Sequence, residues 1–390
     1  MQNPPLQRLP LGRSTFSALR RDGCLYVDKT EYAYNLITQG YRYFLSRPRR
    51  FGKSLLVSTL QEILEGNKSL FENLWIEKSD YHWRIHGVIV LDFSALDTAD
   101  SKTLNSGLCE LLQKTANRYN LGITLNAESP NSALLTLIIA LHAKFGHVAV
   151  LVDEYDSPIV KTLNNLEQAT EIGAAIRSFF AALKSPDQYV DFIFITGVHS
   201  FARADIFCGG LNNLQIITLD ERWATICGYT DQEIDHYFTP HIQGWANNKK
   251  IPHAEMRQKI KDWYNGYHFG KDVPAVYNPF SFMNAVNAQA FENYWLYTDT
   301  PAFLIEEMKQ SDHDFEASST ALSTFEIGST QLAASMFQAG YLTVTHYHEE
   351  KRTYLLDYPN QEVRNTIQRY IYPHRKPKEF DITYESKEVV

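Results

Sequence analysis

Five short apolar runs, separated by longer stretches of helical pattern, constrain this chain more than any other feature. Tyr41–Ser46, Val88–Phe93, His147–Asp153, Asp191–Gly197 and Leu214–Leu219 are rich in β-branched and aromatic residues and bounded by polar residues or glycine. Such runs suit strands buried on both faces. Between them, Lys53–Glu65, Thr103–Arg118, Asn131–Lys144 and Glu167–Leu183 read as helices. The third is apolar almost all round, which fits a buried helix, although periodicity alone leaves a strand open. Strands joined through helices pair in parallel, so the first 220 residues or so predict an α/β sheet covered on both faces.

The pattern changes after about residue 222. Asp231–Phe238, Ala254–Tyr264, Phe280–Ala290 and Pro301–Met308 predict helices, with turns at Asn265-Gly266 and Asn278-Pro279. Ser311–Thr324 is polar and reads as a linker or exposed loop, whereas Tyr341–Tyr347 and Thr353–Tyr358 alternate as a hairpin does. Apolar residues make up 44% of the 390, enough for sizeable cores. The net charge of −8 excludes a general polyanion binder, though not a local basic patch. Cys24, Cys109, Cys208 and Cys227 form no CxxC pair and read as reduced thiols. The start of the chain has no basic-then-apolar leader, and no apolar run reaches the roughly 18 residues a membrane span needs. A cytoplasmic protein without a membrane segment is expected.

Chemistry enters at Phe51-Gly52-Lys53-Ser54, which follows the first strand and opens a helix. Backbone N–H groups at a helix start, aided by the helix dipole, hold phosphate. Lys53 is placed to reach the β- and γ-phosphates and Ser54 to ligate Mg²⁺. The usual loop would have a glycine at position 47, but this chain has Arg47, followed by Pro48, which has no N–H. Arg49 and Arg50 are candidates for phosphate contact in place of backbone amides, or else form a surface turn. Val148–Glu154 ends a strand in two carboxylates: Asp153 is the candidate metal holder and Glu154 the candidate base for an attacking water. In phosphate-loop ATPases with an extra strand between the two motif strands, a polar residue ending that strand often meets the water or γ-phosphate. Thr196 fits that place, with Ser200 a lesser candidate. Arg203 reads as a finger to the γ-phosphate or as a solvated loop residue.

These residues together resemble a bacterial AAA-ATPase-like family whose members often carry a C-terminal nuclease domain of the PD-(D/E)XK superfamily. The resemblance runs from Leu11-Gly12 through Tyr26–Thr30, Phe44–Leu55, Asp153–Asp156, Thr196–Val198, Gly210–Asn213, Trp263–Tyr267 and Val276–Phe280, covering roughly residues 10–360. In that family the Arg-Pro-Arg-Arg-Phe-Gly-Lys-Ser loop is the norm. The resemblance implies a phosphate-loop NTPase core with a parallel sheet flanked by helices over 10–222. A helical, lid-like region would follow over 223–310 and a small α+β segment over 325–375. The tail, 376–390, holds Asp381 and Glu385-Ser386-Lys387, too close together for a nuclease metal site, so the nuclease domain is expected to be absent.

Other residues have two readings each. Asp28-Lys29-Thr30 either meets the nucleotide or starts a helix. Trp263, Tyr264, Asn265 and Tyr267 either cover the nucleotide or fill a core. His346 and His348 share a strand face but make no metal site by themselves. The function expected is an Mg²⁺-dependent ATPase in which ATP at Arg49–Ser54 drives motion of the helical region. The alternatives are a nucleotide-gated scaffold with little turnover and the ATPase part of a nucleic-acid-processing or defence system using a separate nuclease. A protein effector, nucleic acid and further copies of the chain are the candidate partners.

Overall fold

The computed structural model describes residues 6–184, 186–201, 211, 213–297, 315–323 and 332–371. Two helices precede the sheet, α1 (Phe16–Arg21) and α2 (Thr30–Gln39). The strands are β1 (Arg42–Ser46), β2 (Gly87–Asp92), β3 (Val148–Asp153), β4 (Phe192–Gly197) and a two-residue β5 (Gln215–Ile216). They form one parallel sheet in the order β2-β3-β4-β1-β5. Every expected strand is present, β5 in shortened form. There the Ser46 amide takes the Thr218 hydroxyl in place of a backbone carbonyl, which ends the ladder early.

Because side chains alternate along a strand, each strand feeds two cores. Tyr43, Leu45, Ala149, Leu151 and Phe194 pack toward α3 (Lys53–Leu64). Phe44, Val150, Val152, Ile193 and Ile195 pack toward the opposite layer, α4 (Ser101–Arg118), α5 (Pro130–Phe145) and α7 (Leu166–Ala181), with the short α6 (Ser157–Val160) just after β3. This is the P-loop NTPase-like α/β core that the sequence predicts.

A third core joins α8 (Asp231–Lys249), α9 (His253–Tyr264) and α10 (Pro279–Ala288) with Leu25 and Val27. α8 opens with a capping box between Thr230 and Glu233 and runs eleven residues past the expected end, Phe238, straight through Pro240. Its buried stripe of Ile234, Phe238, Ile242, Trp245 and Ala246 outweighs the one hydrogen bond that proline removes. The expected hairpin is β7 (Thr343–His348) and β8 (Thr353–Asp357), with a bulge between Val344 and His346. One expectation fails here. The supposed linker Ser311–Thr324 contains strand β6 (Phe315–Ser318), which pairs with β8 and buries Ala317. The open edge of β8 offered hydrogen bonds that its polar composition did not signal. Helices Leu332–Ala339 and Gln361–Ile371 complete this part. The expected helix at Pro301–Met308 and the tail 376–390 lie outside the described residues.

Candidate functional site

The sheet order places β4 between β3 and β1, so the strand ends bearing Asp153, Thr196 and the Arg47–Gly52 loop lie side by side at the C-terminal edge. Asp153 follows the same side-chain alternation as Ala149 and Leu151, and Thr196 that of Phe194. Both therefore lie on the α3 face of the sheet.

Gly52, at φ 95°, caps α3 in a left-handed turn, and the first intrahelical bond runs from the Leu56 amide to its carbonyl. The amides of Lys53, Ser54 and Leu55 thus have no partner within the helix and lie where an anion is held. Phe51 is buried under the turn, edge-on to Tyr267 at 4.8 Å and to Phe269 at 5.5 Å between centroids. Lys53 is buried and donates from Nζ to the carbonyls of Arg47 (2.9 Å) and Pro48 (3.0 Å). Burial lowers its pKa, opposed by the charges of Glu154, Asp153 and Asp156. The Ser54 side chain, in the first turn of α3, faces the Asp153 carboxylate. Burial pushes that carboxyl up to about 6, against the pull of Ser54 and Lys53.

Arg47 does not take part as a phosphate ligand. Its side chain is buried away from the cavity wall and donates to the carbonyls of Ser46 (3.0 Å), Thr218 (2.8 Å) and Trp223 (3.0 Å), lying over the Phe269 ring. The guanidinium holds together the backbone that a glycine-type loop holds by its own turn. Arg49, half-buried, and Arg50, exposed, do line the cavity, and Arg50 lies over the Phe280 ring at 5.1 Å.

The cavity holds about 480 Å³. Its wall is basic, with Arg13, Lys29, Arg49, Arg50, Lys53 and Lys161, and Glu154 is the sole acid among the described lining residues. The same wall carries the apolar side chains Leu25, Val27, Ile226, Tyr229, Phe280 and Met283. A polyanion joined to a flat apolar group suits such a lining. Glu154 (φ 49°) and Arg50 (φ 67°) are both held in the left-handed region, a strain that clusters at working sites.

Behind the wall, Asp156 accepts from the amides of Val198 (3.1 Å) and His199 (2.7 Å) and from the His199 ring. Burial opposes its charge, but the His199 and Val198 bonds keep its pKa below the ordinary value. A Cβ on Gly197 would lie 2.4 Å from Asp156, so only glycine fits there. Thr196 is fully buried, does not reach the cavity wall, and leaves its hydroxyl without a partner. Ser200 is buried, its amide donating to Gln338 of the helix Leu332–Ala339. Arg203 lies outside the described residues.

The Asp28 carboxylate accepts from the Thr30 and Trp75 amides, which favours the helix-start reading, while Lys29 pairs with Glu233. Tyr264 and Tyr267 are core residues, and none of the Trp263–Tyr267 group lines the cavity. The apolar lining went unread in the sequence because its residues come from three distant segments. The local signals were Tyr26–Thr30, which contains Val27, and Val276–Phe280, which ends in Phe280.

Fold and loop together define a phosphate-loop NTPase-like protein. The predicted AAA-ATPase family (AAA-ATPase-like) matches residues 10–207, and the chain belongs to it. It is 38% identical over 372 residues to an uncharacterized protein in the vnfD 5′ region of Azotobacter chroococcum mcd 1, covering 93% of this chain and 69% of that one. Among solved structures it is similar to the Walker-type ATPase PABY2304 of Pyrococcus abyssi, with 11% identity, 93% and 99% of the two chains covered and a TM-score of 0.45. It is also similar to the ORC1 protein of Aeropyrum pernix in complex with DNA, with 11% identity, 87% and 91% covered and a TM-score of 0.30. Among the described residues, no helix is long and apolar enough to cross a membrane.

Proposed function

We propose that this chain binds ATP with Mg²⁺ and hydrolyses it. The observation that carries the reading is the convergence of Lys53, Ser54 and Glu154 on the wall of one largely basic cavity, with the Asp153 carboxylate next to Ser54. In this reading the triphosphate lies against the α3 amides, Arg49 and Arg50, with the base against Leu25, Val27, Tyr229 and Phe280. Lys53 leaves the loop carbonyls for the β- and γ-phosphates. The Ser54 hydroxyl and Asp153 carboxylate form an all-oxygen donor pair that suits Mg²⁺, which would neutralise phosphate charge. Glu154 takes a proton from the attacking water as its oxygen bonds to the γ-phosphorus and the bond to the ADP oxygen breaks. Thr196, the sequence's candidate for the water or γ-phosphate, lies one layer below and short of the cavity wall, so this reading gives it no contact with the nucleotide.

The same reading couples the nucleotide to the second half of the chain. The Ser200 amide donates to Gln338 Oε1, and Gly340 packs against Pro48 of the loop, so both sides of the phosphate end touch one helix and its turn.

Steady-state turnover and ATP affinity, measured with Mg²⁺ on the parent, Lys53→Ala and Glu154→Gln, test this. The parent should turn over ATP, Lys53→Ala should lose binding, and Glu154→Gln should bind but turn over about 10²–10⁴-fold more slowly. Binding by the parent without Mg²⁺-dependent turnover would replace the reading with a nucleotide-gated scaffold.

A further inference from the structure

The sheet edge opposite the cavity carries a second group of side chains with chemistry. His86, His147 and Asp191 are the residues immediately before β2, β3 and β4, three strands that are neighbours in that order. The Gly87 amide donates to the His147 carbonyl and the Asp191 amide to the Val148 carbonyl, so the parallel register itself sets the three side by side. One ligating atom from each lies within 4.8 Å of the others. His147 Nδ1 and Asp191 Oδ2 are 2.8 Å apart, and the His86 and His147 ring centroids 5.5 Å.

His86 is set up as a ligand. Its Nδ1 faces the carbonyls of Arg84 at 3.1 Å and Leu64 at 3.3 Å, which only accept, so the proton sits on Nδ1 and Nε2 keeps its lone pair. Burial lowers its pKa and favours the neutral ring. A plain His147–Asp191 pair accounts for neither the third, buried imidazole nor its fixed tautomer.

We propose that His86, His147 and Asp191 bind a divalent transition metal of the Zn²⁺ class, pinning the leading ends of β2, β3 and β4. Two neutral imidazoles and a carboxylate give a nitrogen-rich set with one negative charge, which suits Zn²⁺ and disfavours Mg²⁺ and Ca²⁺. Tetrahedral bonds of about 2.0–2.1 Å place ligand atoms about 3.3 Å apart, so the set contracts by about 1.5 Å at its widest. His147, half-buried, and Asp191, exposed, have room to make that movement, and water takes the fourth position. The ion is distinct from the one beside Asp153. A six-residue strand separates the two edges by about 20 Å. It is not distant in the chain, because His86 is tied to Leu64, the last residue of the helix that begins at Lys53.

The test uses the intact chain, stripped with a chelator and titrated with Zn²⁺ against a chromophoric competitor, with Co²⁺ absorption as a second readout. One equivalent should bind and raise the thermal midpoint. His147→Gln and Asp191→Asn should each weaken uptake at least about tenfold and lose the thermal rise, while MgATP affinity stays unchanged. These two positions are chosen because they are not deeply buried, so the variants should fold, whereas His86 is buried. Absence of stoichiometric uptake by the parent, or uptake equal in parent and variants, would overturn the proposal.

Discussion

Replacing Arg47 by glycine would give the loop the glycine that the usual phosphate-loop pattern has at that position. On motif grounds alone the change should be neutral or helpful, whereas the structure predicts harm. The guanidinium makes three bonds of 2.8–3.0 Å to buried carbonyls, and the contact to Ala224 at 3.5 Å is too long to count. Charge-assisted bonds contribute about 1.5–3 kcal/mol each, and the Phe269 ring about 1 kcal/mol more. Against this stands the cost of burying the charge with no carboxylate partner among the described residues. That cost lowers the pKa to about 10, which is worth about 3 kcal/mol. The balance favours arginine by about 3–7 kcal/mol, and glycine adds about 1 kcal/mol of backbone freedom. Arg47→Gly should therefore unfold at markedly lower urea concentration than the parent, with Arg47→Met, which keeps most of the packing, in between. Urea titrations followed by circular dichroism and tryptophan fluorescence read this. An Arg47→Gly midpoint equal to or above the parent's would refute the claim that the guanidinium holds the loop.

Two further predictions concern the second half of the chain. Glu362 is buried, accepts from the Trp295 amide, and has its carboxyl pushed up to about 8 by burial. Its folded pKa lies above its unfolded one, so its stabilising contribution is complete below about pH 4 and lost as pH rises through 8. Glu362→Gln should be more stable than the parent by about 3–5 kcal/mol at pH 9, with the gap closing by pH 4–5. A gap that stays constant across pH would sink the assignment. Gln338→Leu strips the Ser200 amide and the Leu322 carbonyl of their partners, which should cost about 2–3 kcal/mol in thermal or urea unfolding. If that contact transmits the nucleotide state, turnover should fall while ATP affinity holds, and an unchanged turnover would deny the coupling.

The parallel sheet was legible because its strands are buried on both faces and therefore stand out as continuous apolar runs. The loop was legible because Gly52-Lys53-Ser54 sits at a strand-to-helix junction. What failed to show was whatever depends on distant partners. Arg47 reads only as a departure from the usual glycine until Thr218 and Trp223 supply its acceptors, more than 170 residues away. β6 reads as linker until β8 offers an edge, and α8 outruns Pro240 because its buried stripe continues beyond it. The His86, His147 and Asp191 group is invisible for the same reason. Each is an ordinary polar residue before a strand, and only the sheet order makes them neighbours.

Arg47 also bears on how such a site could be controlled. In a glycine-type loop the turn is held by its own backbone, so its shape is local. Here the loop carries Arg47 and Pro48, and its conformation depends on contacts with residues far along the chain. The Thr218 and Trp223 carbonyls take the guanidinium, Tyr267 and Phe269 support Phe51, the Gly228 amide donates to the Phe51 carbonyl, and Gly340 lies against Pro48. Gly340 sits at φ 93°, and a Cβ there would lie 2.7 Å from Pro48, so this contact is close enough to transmit displacement. On the proposed reading, a partner that shifted the second half would act on the phosphate loop directly. Reciprocally, on that reading a nucleotide that drew Lys53 from the Arg47 and Pro48 carbonyls would loosen the loop where Gly340 touches it.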